Sequence, residues 1–287
     1  MGQGMKFFDS IATRVWAAGF KAITTRCEYC QRSMTLHSFS AHKAGIRMRD
    51  HWYCSSSCFG SAVEAELAEL AVSGQERPDP VSSMPLGLML VSRGLLSNEE
   101  LREARNEERE TGEEIGELLV RRGSLSEKQL TAARASQWGC PVYSVPKHGL
   151  PAGICIPPTF MRIYSMIPLH YVASTNLLLV GFVNKVEYGL LYAIEKMTGC
   201  KTQPCFVTPN DFHLQMQKRE YALEHSDADS GEVKFECVQS LAEMARILSS
   251  YGAHLEADEA IIGKCREYLW ARLKTGPKEV DLLFKAS

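Results

Sequence analysis

A stretch of the chain repeats itself. Leu86-Gly87-Leu88-Met89-Leu90-Val91-Ser92-Arg93-Gly94-Leu95-Leu96-Ser97 returns 29 residues later as Ile115-Gly116-Glu117-Leu118-Leu119-Val120-Arg121-Arg122-Gly123-Ser124-Leu125-Ser126. The correspondence continues with Leu101, Ala104 and Arg105 against Leu130, Ala133 and Arg134. A fixed period means one supersecondary unit used twice. Leu86, Met89 and Leu90 keep a helical period. Gly94 and Gly123 stand where a left-handed C-terminal cap is wanted. Ser97 with Glu100, and Ser126 with Gln129, have capping-box spacing. The pattern predicts two copies of a short helix, a glycine turn and a capped second helix over 85–140. Their apolar faces must pack together.

The chain has 287 residues, enough for two or three small domains. Hydrophobic residues make up 45% and charged residues 23%, which places it among globular proteins rather than disordered ones. A net charge of −2 argues against a global field that gathers nucleic acid or anionic lipid. The longest apolar run, Leu177 to Val183, is far short of the roughly 20 residues of a spanning helix. No signal peptide is recognisable at the N-terminus. A cytoplasmic location is expected, where ten cysteines read as thiols or metal ligands rather than disulfides.

Residues 5–25 have an amphipathic helical pattern, with Phe8, Ile11, Val15 and Ala18 in one stripe. Such a helix packs on a core or lies on a membrane surface. A cysteine-rich module over 26–72 follows, ending in a helix from Ser61, and then a Gly- and Pro-containing linker over 73–84. Residues 141–222 read as α/β: a buried strand at 177–183, a helix at 186–197, a strand at 201–207 and a helix at 209–221. A polar stretch over 223–234 reads as a second linker. A helix at 240–254 and strands near 259–262, 268–273 and 280–284 make a small C-terminal domain over 235–287. The expected fold class is therefore α+β and multidomain. A small zinc module precedes a four-helix tandem repeat packed with a small α/β subdomain, and a C-terminal helix with short β-strands follows.

Cys27-x2-Cys30 and Cys54-x3-Cys58 bracket 23 residues. Two close thiol pairs supply what tetrahedral Zn²⁺ asks for, and four sulfurs leave no open position, so such a site is structural. Free-thiol pairs and redox chemistry are the alternatives. His37, His42 and His51 lie in the insert and can replace a cysteine as ligand. Trp52-Tyr53-Cys54-Ser55-Ser56-Ser57-Cys58-Phe59 resembles the second half of treble-clef zinc modules such as MYM and TRASH fingers. There an aromatic-Cys-Ser segment leads into a helix carrying the last cysteine. Cys140, Cys155, Cys200, Cys205, Cys237 and Cys265 have no ligand spacing and read as small apolar packing residues.

The tandem repeat resembles the N-terminal, MshEN-type domain of the ATPases that assemble type II secretion systems and type IV pili. Matching positions are Leu86, Gly87, Leu90, Val91, Gly94, Leu96, Leu101 and Ala104 in the first copy. In the second they are Ile115, Gly116, Leu119, Val120, Gly123, Leu125, Leu130, Ala133 and Gln137. The resemblance runs on through Cys140-Pro141-Val142, Ile167-Pro168-Leu169, the 177–180 strand, Thr198-Gly199 and Thr208-Pro209-Asn210-Asp211, covering about 85–222. Ala242 to Leu283 is similar, more weakly, to the subdomain that follows in the same ATPases. Ala257-Asp258-Glu259-Ala260-Ile261 and Trp270-Ala271-Arg272-Leu273 stand as counterparts of its strands. An unrelated β-meander after a helix is the alternative there.

In part of this family the tandem motif binds cyclic di-GMP. The resemblance carries that site to Leu86, Gly87, Leu90, Gly94, Ile115, Gly116, Leu119, Gly123 and Gln137. The polar positions depart from the pattern: the leading Arg is Pro85 and Glu114 here, and the closing Gln of the first copy is Glu108. Carboxylates repel phosphate, and the apolar half of the motif is also what helix packing keeps.

The sequence has no Gly-x4-Gly-Lys-Ser/Thr, Gly-x-Ser-x-Gly or His-Glu-x-x-His, so no enzymatic activity is expected. The expected function is that of a non-enzymatic bacterial adaptor or regulator acting on protein partners of a secretion or pilus system, at the inner face of the membrane through those partners. A cyclic di-GMP or other nucleotide sensor is the second class. A zinc-module nucleic-acid binder using Lys21, Arg26, Arg32, Lys43, Arg47 and Arg49 is the third.

Overall fold

The computed structural model describes residues 23–36, 45–72, 84–145, 154–224 and 231–286. The strands in chain order are β1 (Ile23–Arg26), β2 (Ser33–Leu36), β3 (Ile46–Met48), β4 (His51–Tyr53), β5 (Met166–Val172), β6 (Leu177–Phe182), β7 (Lys201–Phe206), β8 (Gly231–Val238), β9 (Glu259–Cys265), β10 (Tyr268–Thr275) and β11 (Lys278–Ala286). The helices, labelled in the same way, are α1 (Ser56–Val72), α2 (Leu86–Ser92), α3 (Asn98–Thr111), α4 (Ile115–Arg121), α5 (Glu127–Trp138), α6 (Pro158–Ile163), α7 (Tyr188–Thr198), α8 (Pro209–Glu224) and α9 (Leu241–His254). The α+β class holds. Among the described residues, no helix is long and apolar enough to cross a membrane.

The strands fall into three sheets: β1-β2, a six-stranded sheet in the order β4-β3-β9-β10-β11-β8, and β5-β6-β7. The six-stranded sheet joins what the sequence divides. β3 runs parallel to β9, with Arg47 opposite Glu259 and Met48 opposite Ala260, and Arg47 N–H donates to the Asp258 carbonyl at 2.9 Å. The cysteine-rich segment and the C-terminal segment therefore share one sheet. They also share one core, in which Phe59, Val63 and Leu67 of α1 meet Met244 and Leu248 of α9 and Ala260, Ile262, Leu282 and Phe284 of the sheet. The segments expected as units over 26–72 and 235–287 thus meet in one sheet and one core. Ile46 and Met48 of β3 are buried in that shared core.

Two other expected segments differ in part, and a third lies outside the described residues. The helix over 5–25 lies outside the described residues up to 22, and Ile23–Arg26 is a strand paired antiparallel with Ser33–Leu36. The linker over 223–234 is helix to Glu224 and strand from Gly231, its residues 225–230 being outside the described set. Gly231-Glu232-Val233-Lys234-Phe235 alternates polar and apolar, a strand period that the acidic residues before it obscured. The linker over 73–84 lies outside the described residues up to 83.

β10 is buried on both faces. Leu269, Ala271 and Leu273 enter the core under α1 and α9. Trp270, with Cys265 and Leu283, enters a second core made by β5-β6-β7, α6 and α7. Period-two alternation sends neighbouring residues of one strand to opposite layers. On the second face Arg272 lies directly opposite Asp281 in the β10–β11 ladder. The guanidinium donates to both carboxylate oxygens, at 2.8 and 3.0 Å, and to the Cys155 carbonyl at 2.6 Å. Trp270 Nε1–H also donates to Asp281, at 2.8 Å. Burial works against the Arg272 charge, and the Asp281 carboxylate outweighs it and holds the guanidinium above its ordinary value. Thr159 N–H donates to Glu232 of β8 at 3.1 Å, a second tie between the α6 segment and this sheet.

The four helices α2–α5 enclose a core of Leu90, Leu96, Leu101, Ala104, Leu119, Leu125 and Ala133. Each copy uses its glycines alike. A Cβ on Gly87 would stand 2.5 Å from Leu101 Cδ1, and one on Gly116 2.9 Å from Leu130 Cδ1. Gly94 and Gly123 turn the chain at φ of +68° and +78°, where other residues are strained. Both capping boxes form, with Ser97 and Glu100 in one and Ser126 and Gln129 in the other.

Asp281→Ala is expected to cost about 3–5 kcal/mol, because it leaves a buried guanidinium unpaired. Gly123→Ala is expected to cost about 1 kcal/mol through its positive φ. Urea midpoints of the two variants, at unchanged slope, check both.

Candidate metal centre

β1 and β2 are joined by a tight turn from Cys27 to Arg32. Cys27 N–H donates to the Arg32 carbonyl at 3.0 Å, Gln31 N–H donates to the Cys27 carbonyl at 2.9 Å, and Gln31 takes a φ of +60°. This places Cys27 and Cys30 at one corner. β4 delivers Cys54 directly after Tyr53, and Cys58 stands in the first turn of α1. Cys58 N–H donates to Ser55 Oγ at 3.2 Å, which satisfies one of the free donors of that helix end. Glu28 N–H donates to the Trp52 carbonyl at 3.1 Å and Cys54 N–H to Cys27 Sγ at 3.5 Å, so backbone contacts hold the two halves together.

The four sulfurs lie within 4.8 Å of one another. Cys30 Sγ and Cys54 Sγ are 3.5 Å apart, and Cys54 Sγ and Cys58 Sγ 3.8 Å. Four thiolates about 2.3 Å from one central ion are about 3.8 Å from each other, so the donor set fits a tetrahedral divalent metal. Burial pushes the Cys27 thiol up, but the backbone N–H groups of Cys30, Cys54 and Tyr29 outweigh it and bring it down to about 6. At Cys54, burial and then the neighbouring thiols push the other way, to about 12. The Cys54 thiol therefore resists ionisation without a cation to share its charge. Cys27 and Cys58 are buried, Cys54 is half-buried and Cys30 is exposed.

His51 is not among the residues grouped around the four sulfurs; its Nδ1 lies 3.4 Å from the Glu28 carboxylate. His37 and His42 lie outside the described residues. Cys140, Cys155, Cys200, Cys205 and Cys265 are free thiols outside the cluster; burial pushes Cys205 and Cys265 up to about 12. The Cys237 side chain lies outside the described set. Of the basic residues of the module, Arg26 donates to the Gln31 carbonyl at 3.1 Å and Arg49 pairs with the buried Glu66 at 2.5 Å. Arg32 and Arg47 are exposed, and Lys21 and Lys43 fall outside the described residues.

The repeat positions sit in and around the helical core. Leu90 and Leu119 are fully buried within it, Gly87 and Gly116 are buried at helix contacts, and Leu86 and Ile115 pack half-buried at its margin. Gly94 and Gly123 are exposed at the turns. Glu114, at one leading position, pairs at 2.8 Å with the buried Arg134. Glu108 and Gln137, 29 residues apart, hold equivalent places in the two copies. Glu108 accepts from Ile115 N–H at 3.2 Å, and Gln137 Nε2 donates to the Met84 carbonyl at 2.9 Å. Each closing residue thus reaches the start of the other copy. Sequence reasoning missed this exchange, and it missed the Arg272–Asp281 pair; the equal 29-residue offset was the available signal for the first.

No family model matches the chain, and no curated protein matches it. Among solved structures, a structure of MshE with cdg is similar over 47% of this chain and 98% of that chain, at 20% identity and a TM-score of 0.38. A structure of the N-terminal domain of XpsE is similar over 46% of this chain and 92% of that one, at 17% identity and a TM-score of 0.38.

Titration of metal-free protein with Co²⁺ is expected to saturate at one ion per chain, with the thiolate charge-transfer bands of a tetrahedral sulfur site. Cys58→Ser is expected to weaken those bands and lower affinity, and acidification to release the ion by protonating thiolates. Absorption spectra read all three.

Proposed function

We propose that the protein is a non-enzymatic adaptor or regulator. In this reading a structural Zn²⁺ on Cys27, Cys30, Cys54 and Cys58 fastens the N-terminal hairpins to the sheet, and the helical tandem presents a docking surface to protein partners. The observation that carries the metal part is the close grouping of four sulfurs, all within 4.8 Å of one another, at the junction of β1-β2, β4 and α1. With all four positions taken by protein sulfur, no site is left for substrate or water, so the role of the ion is to stabilise the fold.

The partner class follows the resemblance of the repeat to the N-terminal domains of secretion and pilus ATPases. Protein docking is favoured over dinucleotide binding by what occupies the polar positions. Glu114 is paired with Arg134, and Glu108 and Gln137 are engaged with backbone of the neighbouring copy. A dinucleotide would have to displace these contacts and approach carboxylates. Exposed apolar side chains at Met84 and Leu88 lie on or beside α2, where a protein partner can cover them.

Calorimetry of the full chain with cyclic di-GMP is expected to show no low-micromolar binding; such binding, lost in Gln137→Ala, overturns the preference for a protein partner. Purified secretion or pilus ATPase and its membrane platform protein, immobilised in turn, are expected to retain the chain, and Leu88→Glu to lower that retention. Metal analysis after chelator-free purification is expected to give one zinc per chain.

A further inference from the structure

The geometry points to Cys30 and Cys54 as a peroxide-sensitive pair, whose oxidation to a disulfide releases the metal and leaves the Cys27–Arg32 turn covalently fastened to the end of β4. The release rests on the metal reading above; the cross-link rests on the positions of the two thiols.

Access divides the cluster into halves. Cys27 is 0% and Cys58 9% exposed, whereas Cys54 is half-buried and Cys30 lies open on the turn. An oxidant in solution meets Cys30 first, and oxidation of cysteine follows exposure and thiolate character. A metal-bound thiolate retains that character. The sulfur at 3.5 Å from Cys30 belongs to Cys54, the other accessible member. Cys54 and Cys58 are 3.8 Å apart, but a bridge between them needs the buried Cys58 to leave the first turn of α1. Cys27 is held in the interior by the Cys54 N–H and by its own turn.

The backbone keeps the reacting pair together without help from a metal. Glu28 N–H to the Trp52 carbonyl ties the turn to β4 within two residues of each cysteine. The sulfurs stand 3.5 Å apart, and a disulfide needs roughly 2.05 Å; Cys30, on the exposed turn, is the partner free to close that gap.

The oxidant is hydrogen peroxide. The Cys30 thiolate attacks one peroxide oxygen, the O–O bond breaks, and hydroxide leaves, giving Cys30 sulfenic acid. The Cys54 thiolate then attacks that sulfur, the S–O bond breaks, and a second hydroxide leaves. The two sulfurs together lose two electrons and the peroxide gains them. Cys27 and Cys58 remain as two ligands, too few for a closed tetrahedral site, and the ion dissociates.

The test uses the full chain, purified under reductant without chelator, its zinc content measured, and then freed of reductant. One equivalent of hydrogen peroxide is added, zinc release is followed with a chromophoric chelator, and disulfides are located by non-reducing peptide mass mapping. The expected result is loss of the bound zinc in step with a dominant Cys30–Cys54 cross-link, both reversed by dithiothreitol and added zinc. Cys140→Ser, outside the cluster, is expected to release zinc at the same rate. Zinc that stays bound, or a dominant bridge involving Cys27 or Cys58, overturns the proposal. If the starting protein holds no zinc, the metal reading fails separately, and the peptide map alone decides whether Cys30–Cys54 is the reactive pair.

Discussion

Along β10, Leu269, Ala271 and Leu273 point into one core, and Trp270 and Arg272 point to the opposite layer. Antiparallel sheets often keep one face in water; here both faces of the central strands are covered. α1 and α9 lie on one side, and the α/β unit of β5-β6-β7 with α6 and α7 lies on the other. Most of the remaining architecture hangs on that double burial. The cysteine-bearing hairpins reach the fold through β3, which pairs with β9, and the α/β unit is latched by Arg272 to the Cys155 carbonyl. A buried guanidinium is tolerated because Asp281 neutralises it and accepts from Trp270 as well, so the charges and donors are used together.

The helical tandem is held by different physics. Its core is small, and close approach matters more than area. Gly87 and Gly116 remove the Cβ that would strike Leu101 and Leu130, and the two closing residues, Glu108 and Gln137, exchange contacts across the copies. Arg134 carries the tandem onto the rest of the molecule, since it is buried, donates to the Val183 carbonyl at 3.5 Å, and belongs to α5, whose Ala135 enters the α/β core. A motif that reads as a ligand signature is thereby occupied with its own internal packing.

The cysteine cluster takes its geometry from three elements that the other contacts already place: the β1–β2 turn, the end of β4 and the start of α1. Backbone N–H groups aimed at Cys27 favour its thiolate, while the neighbouring thiols oppose ionisation at Cys54. The four sulfurs could together hold a metal ion, and they differ in exposure because Cys27 and Cys58 lie inside while Cys30 stands open on the turn.

Local order was legible in the sequence. The repeat, its capping boxes, its glycine turns and the four cysteines are short-range features, decided by residues within one or two turns of each other, and Ser97, Gly94 and Cys58 stand where their spacing places them. The strand at 177–182 and the helices at 188–198 and 241–254 follow from apolar periodicity in the same way. What only the tertiary structure decided is which distant segments share a layer. The β3–β9 pairing joins residues more than 200 positions apart, and the Arg272–Asp281–Trp270 cluster acquires its meaning from burial against Cys155. Neither is visible in sequence spacing, because strand partners and buried charge pairs are chosen by which apolar faces remain uncovered once the local elements have formed.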